Sequence, residues 1–138
     1  MARRFSIDIP GFGHSNPIPV ASRIGPLLAS GALTGRDPET RDMPEQMDRQ
    51  CANVFAHCRA LLTAAGGTTD DILKMTFHLA DAGDRDALNR EGLAMFPDPA
   101  SRPARQVLAA RLDGIALVHC DLLAVLGDAT VLSDTPGP

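Results

Sequence analysis

Between Ser101 and Asp121 the chain reads SRPARQVLAARLDGIALVHCD and carries the residue types best suited to chemistry. Arg105 stands at the mouth of one apolar segment, Gln106–Leu112. His119 and Asp121 lie two apart within a second, Ala116–Leu126. A guanidinium can grip a carboxylate through two parallel hydrogen bonds. Histidine is the side chain whose unperturbed pKa lies near neutrality. Together these are parts for binding a small carboxylic acid and moving a proton on it. The same residue types also serve as interface ion pairs and satisfied polar groups, so their presence alone assigns no function.

Strands must position these groups. Residues i and i+2 of a strand share a face, so His119 and Asp121 project together, opposite an apolar set of Val118, Cys120, Leu122 and Ala124. Asp113-Gly114 between the two segments is a strong short-range signal for a hairpin that pairs them directly. Earlier in the chain, Phe5–Ile9 alternates apolar and polar and predicts a first strand, ended by Pro10-Gly11. Gly11–Pro19 reads as a loop, from which His14 could reach a cleft. Val20–Ile24 and Leu27–Gly31 flank Gly25-Pro26 as a second tight hairpin. Asp42 and Glu45 have capping-box spacing, with Pro44 in the first turn. Met47, Cys51, Val54, Phe55, Cys58, Leu61, Leu62 and Ala65 then recur at helical spacing, and Gly66-Gly67 supplies the stop.

Ile72–Leu79 predicts a strand with two unlike faces, Leu73, Met75, Phe77 and Leu79 against Lys74, Thr76 and His78. Asp84–Phe96 predicts a second helix with Leu88, Leu93 and Phe96 inward, ended by Pro97 and Pro99. The order β-β-β-α-β-α-β-β puts two helices on one face of a mixed sheet, an α+β two-layer sandwich. One domain is expected over residues 1–126, followed by a flexible tail over 127–138.

With 138 residues, 44% of them apolar, the chain can bury a real core. A formal net charge of −4 and the lack of Trp and Tyr argue against nucleic acid as a partner. Cys51 and Cys58 are separated by roughly 10 Å of rise on one helix and cannot bridge there. No CxxC, HxH or HxxxH spacing appears, so neither metal nor cofactor is expected. Met1-Ala2-Arg3-Arg4 is not followed by an apolar signal region, and no apolar run reaches membrane-spanning length. Scattered thiols fit a reducing, cytoplasmic setting.

Several pieces resemble the Rid family of reactive-intermediate deaminases, also called the YjgF-like or endoribonuclease L-PSP family. They are Leu27-Leu28-Ala29-Ser30-Gly31, the Asp37-Pro38-Glu39-Thr40 turn, Ala64-Ala65-Gly66 with Asp70–Thr76, Leu79-Ala80-Asp81, Asn89, and Arg102-Pro103-Ala104-Arg105. The resemblance covers roughly residues 17 to 126 and implies a chorismate-mutase-like fold and a homotrimer with ligand clefts at the subunit interfaces. It implies hydrolysis of enamines and imines of short 2-amino acids to 2-keto acids and ammonia. By the same resemblance Arg105 clamps the substrate carboxylate, and Ser30 and Gly31 border the cleft. The family's tyrosine falls near Ile18, and its water-positioning glutamate falls on His119, with a second acid on Asp121. The segment between Arg105 and Leu112 is one residue shorter than the family pattern, which could bring Arg102 or Arg111 into the clamp. Two outcomes follow: an imine deaminase using Arg105 and His119, or a non-catalytic carboxylate-binding trimer on the same scaffold. RNA cleavage is disfavoured by charge and composition.

Overall fold

Alternating side chains over residues 72–79 and 118–125 build the centre of one seven-stranded sheet. The computed structural model describes residues 3–10, 12 and 16–127. His14 and all of the expected tail but Gly127 lie outside the described residues. The elements are β1 (Arg4–Ile7), β2 (Ala21–Ile24), β3 (Leu27–Ser30), β4 (Leu33–Thr34), α1 (Met47–Ala64), β5 (Ile72–Leu79), α2 (Asp86–Met95), β6 (Ala104–Ala109) and β7 (Val118–Val125). The sheet order is β1-β2-β3-β7-β5-β6, with β4 also paired to β7. Only β5 and β6 run parallel among the described pairs, because the α2 crossover returns the chain in the same direction. The sheet is therefore mixed, and the α+β sandwich is the one expected.

Both helices lie on one face. On β7, Val118, Cys120, Leu122 and Ala124 are buried against α1, while His119, Asp121, Leu123 and Val125 point the other way. The α1 stripe of Cys51, Val54, Phe55, Cys58, Leu61 and Leu62 meets them, and Phe55 stacks on Phe77 of β5 with ring centroids 5.6 Å apart. Gly66 ends the helix at φ +85°, a left-handed conformation that costs glycine little. Gly67 N–H then donates to Leu62 O at 2.8 Å.

The final two strands do not pair as a hairpin. β5 lies between them, parallel to β6 and antiparallel to β7. Asp113-Gly114 does form a tight turn, with Gly114 at φ +57° and Ala116 N–H donating to Asp113 O at 3.1 Å. That turn sits inside a crossover that wraps the end of β5. Ala110 N–H donates to Leu79 O, and Ala80 N–H donates to Leu117 O, both at 3.0 Å. The physical reason lies beyond the turn. β7 carries a fully apolar face that only a central position under α1 can bury, whereas β6 is exposed along most of its length.

Smaller departures have local causes. The first helix starts at Met47 rather than at the Asp42 capping-box position, and its N-cap, Gln46, is extended without a side-chain cap. Asp42 instead closes the preceding turn, its carbonyl accepting from Asp37 N–H at 2.8 Å. A register shift between Ile72 and Lys74 turns Leu73 outward, 55% exposed, and gives the core position to Ile72. Leu93 is likewise 57% exposed rather than inward. The short β4 is an extra strand. Between Ala29↔Leu123 and Leu33↔Cys120 the β3–β4 side advances one residue more than β7, a bulge that Ser30 fills.

Gln50, fully buried on α1, ties the crossover to the helix. Its Nε2 donates to Pro44 O at 2.7 Å and to Ile115 O at 3.0 Å, and its Oε1 accepts from Leu117 N–H at 2.7 Å. Replacing it by leucine leaves three backbone groups without that partner, at a cost of about 3 kcal/mol. Denaturant unfolding of Gln50→Leu measures the loss, and a change below about 1 kcal/mol would show the crossover to be held elsewhere.

Candidate functional site

Arg105 is the second residue of β6, a strand at the sheet edge, and its register partner is Met75 of β5. Met75 belongs to the core, so Arg105 projects on the helix-covered face. An open cavity of about 370 Å³ lies there between the two helices and strands β5 and β6. Its floor is Phe55, Met75, Phe77, Leu88 and Phe96, all buried, and its exposed rim is Asn89, Leu93, Arg102 and Arg105. Arg105 Nη1 donates to Asn89 Oδ1 at 2.8 Å. Among the described residues no carboxylate pairs with it. A guanidinium is always charged, so this one stands at the rim with its charge uncompensated. Arg102 is differently employed, its Nε donating to Phe96 O at 2.9 Å and its Nη2 to Pro97 O at 3.3 Å. Those bonds satisfy carbonyls just past α2. Arg111 lies beyond the far end of β6, roughly 20 Å along the strand from Arg105.

His119 lies on the opposite face. It is the register partner of His78, and the two rings meet edge-on with centroids 4.7 Å apart. Asp121 pairs with Thr76, and its Oδ2 is 3.9 Å from His78 Nδ1, too far for a hydrogen bond. Among the described residues this buried Nδ1 has no hydrogen-bond partner. His119, Asp121, Thr76 and His78 thus form one polar cluster on a sheet face that neither helix covers. Arg105 and His119 are not brought together within one chain.

The remaining expected residues are placed apart as well. Ser30 Oγ accepts from Leu122 N–H at 2.9 Å and donates to Gly31 O at 2.8 Å. Gly31 N–H donates to Val20 O at 2.9 Å, so both groups serve the bulge. Ser30 is separated from Arg105 by β7 and β5, three strand spacings or about 14 Å. Ile18 is exposed in the loop before β2. Among the described residues no three or more His, Cys, Asp or Glu gather as metal ligands, and no helix is long and apolar enough to cross a membrane.

Residues 20–126 match the family model described as endoribonuclease L-PSP. The chain belongs to the Rid family. A RutC family protein of Aquifex aeolicus is 30% identical over 102 residues, spanning 73% of this chain and 81% of the relative. RidA from the Antarctic bacterium Psychrobacter sp. PAMC 21119 superposes with a TM-score of 0.81 at 25% identity, covering 88% of this chain and 99% of that one. Escherichia coli TdcF, solved with bound serine, superposes at 0.80 with 21% identity, covering 89% of this chain and 99% of that one. This Rid-family chain thus carries His119 at the position where the sequence resemblance puts the family's glutamate.

Two residues at the cavity have no role legible in the sequence. Asn89 is a family-like position, and its bond to Arg105 depends on how α2 docks over β6. Gly92 also lines the cavity, and its sequence signal was available, since a glycine inside a helix is costly without a packing or functional reason.

Burial first, and then the neighbouring His78, hold the His119 imidazole below the ordinary 6.5, while Asp121 pulls it upward. The unfolded chain therefore takes up this proton at higher pH than the folded one. The stability tied to the neutral ring is present above pH 6.5 and is lost as pH falls through the folded value. His57, buried and 2.8 Å from Arg36 O through Nε2, shifts in the same direction, chiefly by burial. An NMR titration is expected to place His119 below free histidine, with Asp121→Asn lowering it further. His119→Gln should flatten part of the acid-side stability slope. A His119 that titrates above free histidine would contradict this electrostatic picture.

Proposed function

We propose that this protein is an enamine/imine deaminase that hydrolyses reactive 2-imino and 2-enamino acids to 2-keto acids and ammonia in the cytoplasm. One observation carries the reading: the Arg105 guanidinium lies at a cavity rim, held by a neutral amide and paired with no described carboxylate. A guanidinium beside a cavity with no carboxylate partner among the described residues is suited to a substrate carboxylate. Rid-family membership supports the same chemistry. So does the serine bound in TdcF, a small amino acid in a protein of the same fold.

A 2-imino acid is planar and already electrophilic at carbon. An enamine first takes a proton on its outer carbon and becomes the imine. Water then adds to the imine carbon and gives a proton to the nitrogen. The carbinolamine hydroxyl loses its proton as the carbon–nitrogen bond breaks, leaving the 2-keto acid and ammonia. The protein need only orient the acid and manage protons. Arg105 provides orientation. His119, kept neutral by its surroundings near pH 7, is the base. Because His119, Ser30 and Gly31 lie away from Arg105 in one chain, the proposed site is composite, completed by another subunit of a homotrimer, with Ile18 in the bordering loop. Leu27, Leu108 and Val125 stand exposed on the same sheet face as His119, a mixed surface suited to covering by further copies.

Adding the protein to a serine or threonine dehydratase reaction should speed keto-acid release. Arg105→Ala should lower kcat/KM about 100-fold, the ~3 kcal/mol of a charge-assisted bond. Absence of acceleration across several amino acids would refute the proposal. Sedimentation is expected to show a trimer, and a monomer would remove the composite site.

One alternative is favoured by specific observations, a non-catalytic carboxylate-binding trimer. The chain has no tyrosine, His119 stands where the family has glutamate, and the Ser30 hydroxyl is engaged with Leu122 N–H. That reading expects saturable binding without turnover, seen as a thermal shift that Arg105→Ala removes.

A further inference from the structure

The cavity beneath Arg105 is larger than a short imino acid requires. The geometry points to selection for acids with long apolar side chains: the tail enters this cavity, and Gly92 keeps it open. The inference rests on Arg105 as the carboxylate clamp and extends that reading to the other end of the ligand.

Three observations carry it. First, the volume of about 370 Å³ falls within the ~300–1,000 Å³ typical of ligand pockets, well beyond the methyl group of the smallest imino acid. Second, the polarity is graded. The buried floor is made of phenylalanine, methionine and leucine side chains, while the charged and amide groups stay at the rim. A polar tail would lose its hydrogen bonds to water inside, and an apolar tail would gain burial worth about fourfold in affinity per methylene. Arg102 cannot readily swing in to fill the space, because carbonyls of Phe96 and Pro97 hold its guanidinium.

Third, Gly92 lies in α2, where glycine destabilises a helix relative to alanine. Glycines are usually required by a positive φ or by close approach of another group. Neither applies here. Gly92 is not among the positive-φ glycines, and a Cβ built on it would meet nothing within 4 Å. What its missing side chain does is leave the cavity unfilled beside the exposed Leu93.

Calorimetric titration of the whole protein with straight-chain 2-keto acids, from pyruvate to 2-oxooctanoate, tests this with stable products in place of imines. The dissociation constant should fall about fourfold per added methylene until the cavity is full. Gly92→Leu should flatten that series, and Gly92→Ala should give an intermediate slope. Both raise helix propensity, so folding of the variants is not at risk, and circular dichroism checks it. Arg105→Ala should weaken every member by a similar factor and leave the slope. A flat wild-type series, or a slope that Gly92→Leu leaves intact, would overturn the inference. Imine turnover is assayed separately. Turnover with a flat series keeps the deaminase and removes the tail pocket, whereas a steep series without turnover keeps the pocket and removes the deaminase.

Discussion

Two adjacent strands, β5 and β7, alternate their side chains in phase, and Arg105, His119 and Asp121 take their side of the sheet from them. Phe77 faces Cys120 across the ladder and Met75 faces Leu122, all beneath the helices, while His78 meets His119 and Thr76 meets Asp121 on the bare side. Slipping either strand by one residue would carry the histidines into the core and the phenylalanine into solvent, so burial fixes the register. The irregularities lie at the margins of this ladder. One is at Ile72–Lys74, where β5 begins, and the other is at Ser30–Ala32, where β3 gives way to β4.

That alternation extends to the edge strand and divides the chemistry. Arg105, paired with Met75, opens on the helix side, and the histidine pair opens on the other. On the proposed reading Arg105 and His119 belong to two halves of one site that assembly unites. Among the described residues the outer edge of β6 and the bare face are without partners in one chain, as is the outer edge of β1. The two halves also differ in polarity. The cavity under Arg105 has an apolar floor and a charged rim, whereas the histidine face is polar at its centre and apolar toward Leu27 and Val125.

Much of this was legible in the residues because it depends on local period. The α1 stripe, the two-faced β7 and the helices on one face follow from spacings of 3.6 and 2. What escaped depends on distant partners. Asp113-Gly114 specifies a tight reversal of the chain but not which strand lies beside which, and the central place of β7 was decided by α1. The Asp42 cap lost to Gln50, whose amide takes the Pro44 carbonyl from a full turn inside the helix. Leu93 lies three residues before Phe96 but five after Leu88, about 140° around the helix from it, and so comes out at the lip of the cavity instead of in the core. The face taken by Arg105 followed from its pairing with Met75, which no pattern within residues 101–121 contains.

A crystal structure of the protein with 2-oxobutanoate would show whether the Arg105 guanidinium receives a small carboxylate at the rim of this cavity. The carboxylate is expected within hydrogen-bonding distance of the Arg105 nitrogens, with the alkyl end toward Phe77 and Gly92. An acid bound elsewhere, with Arg105 still bonded to Asn89 alone, would contradict it.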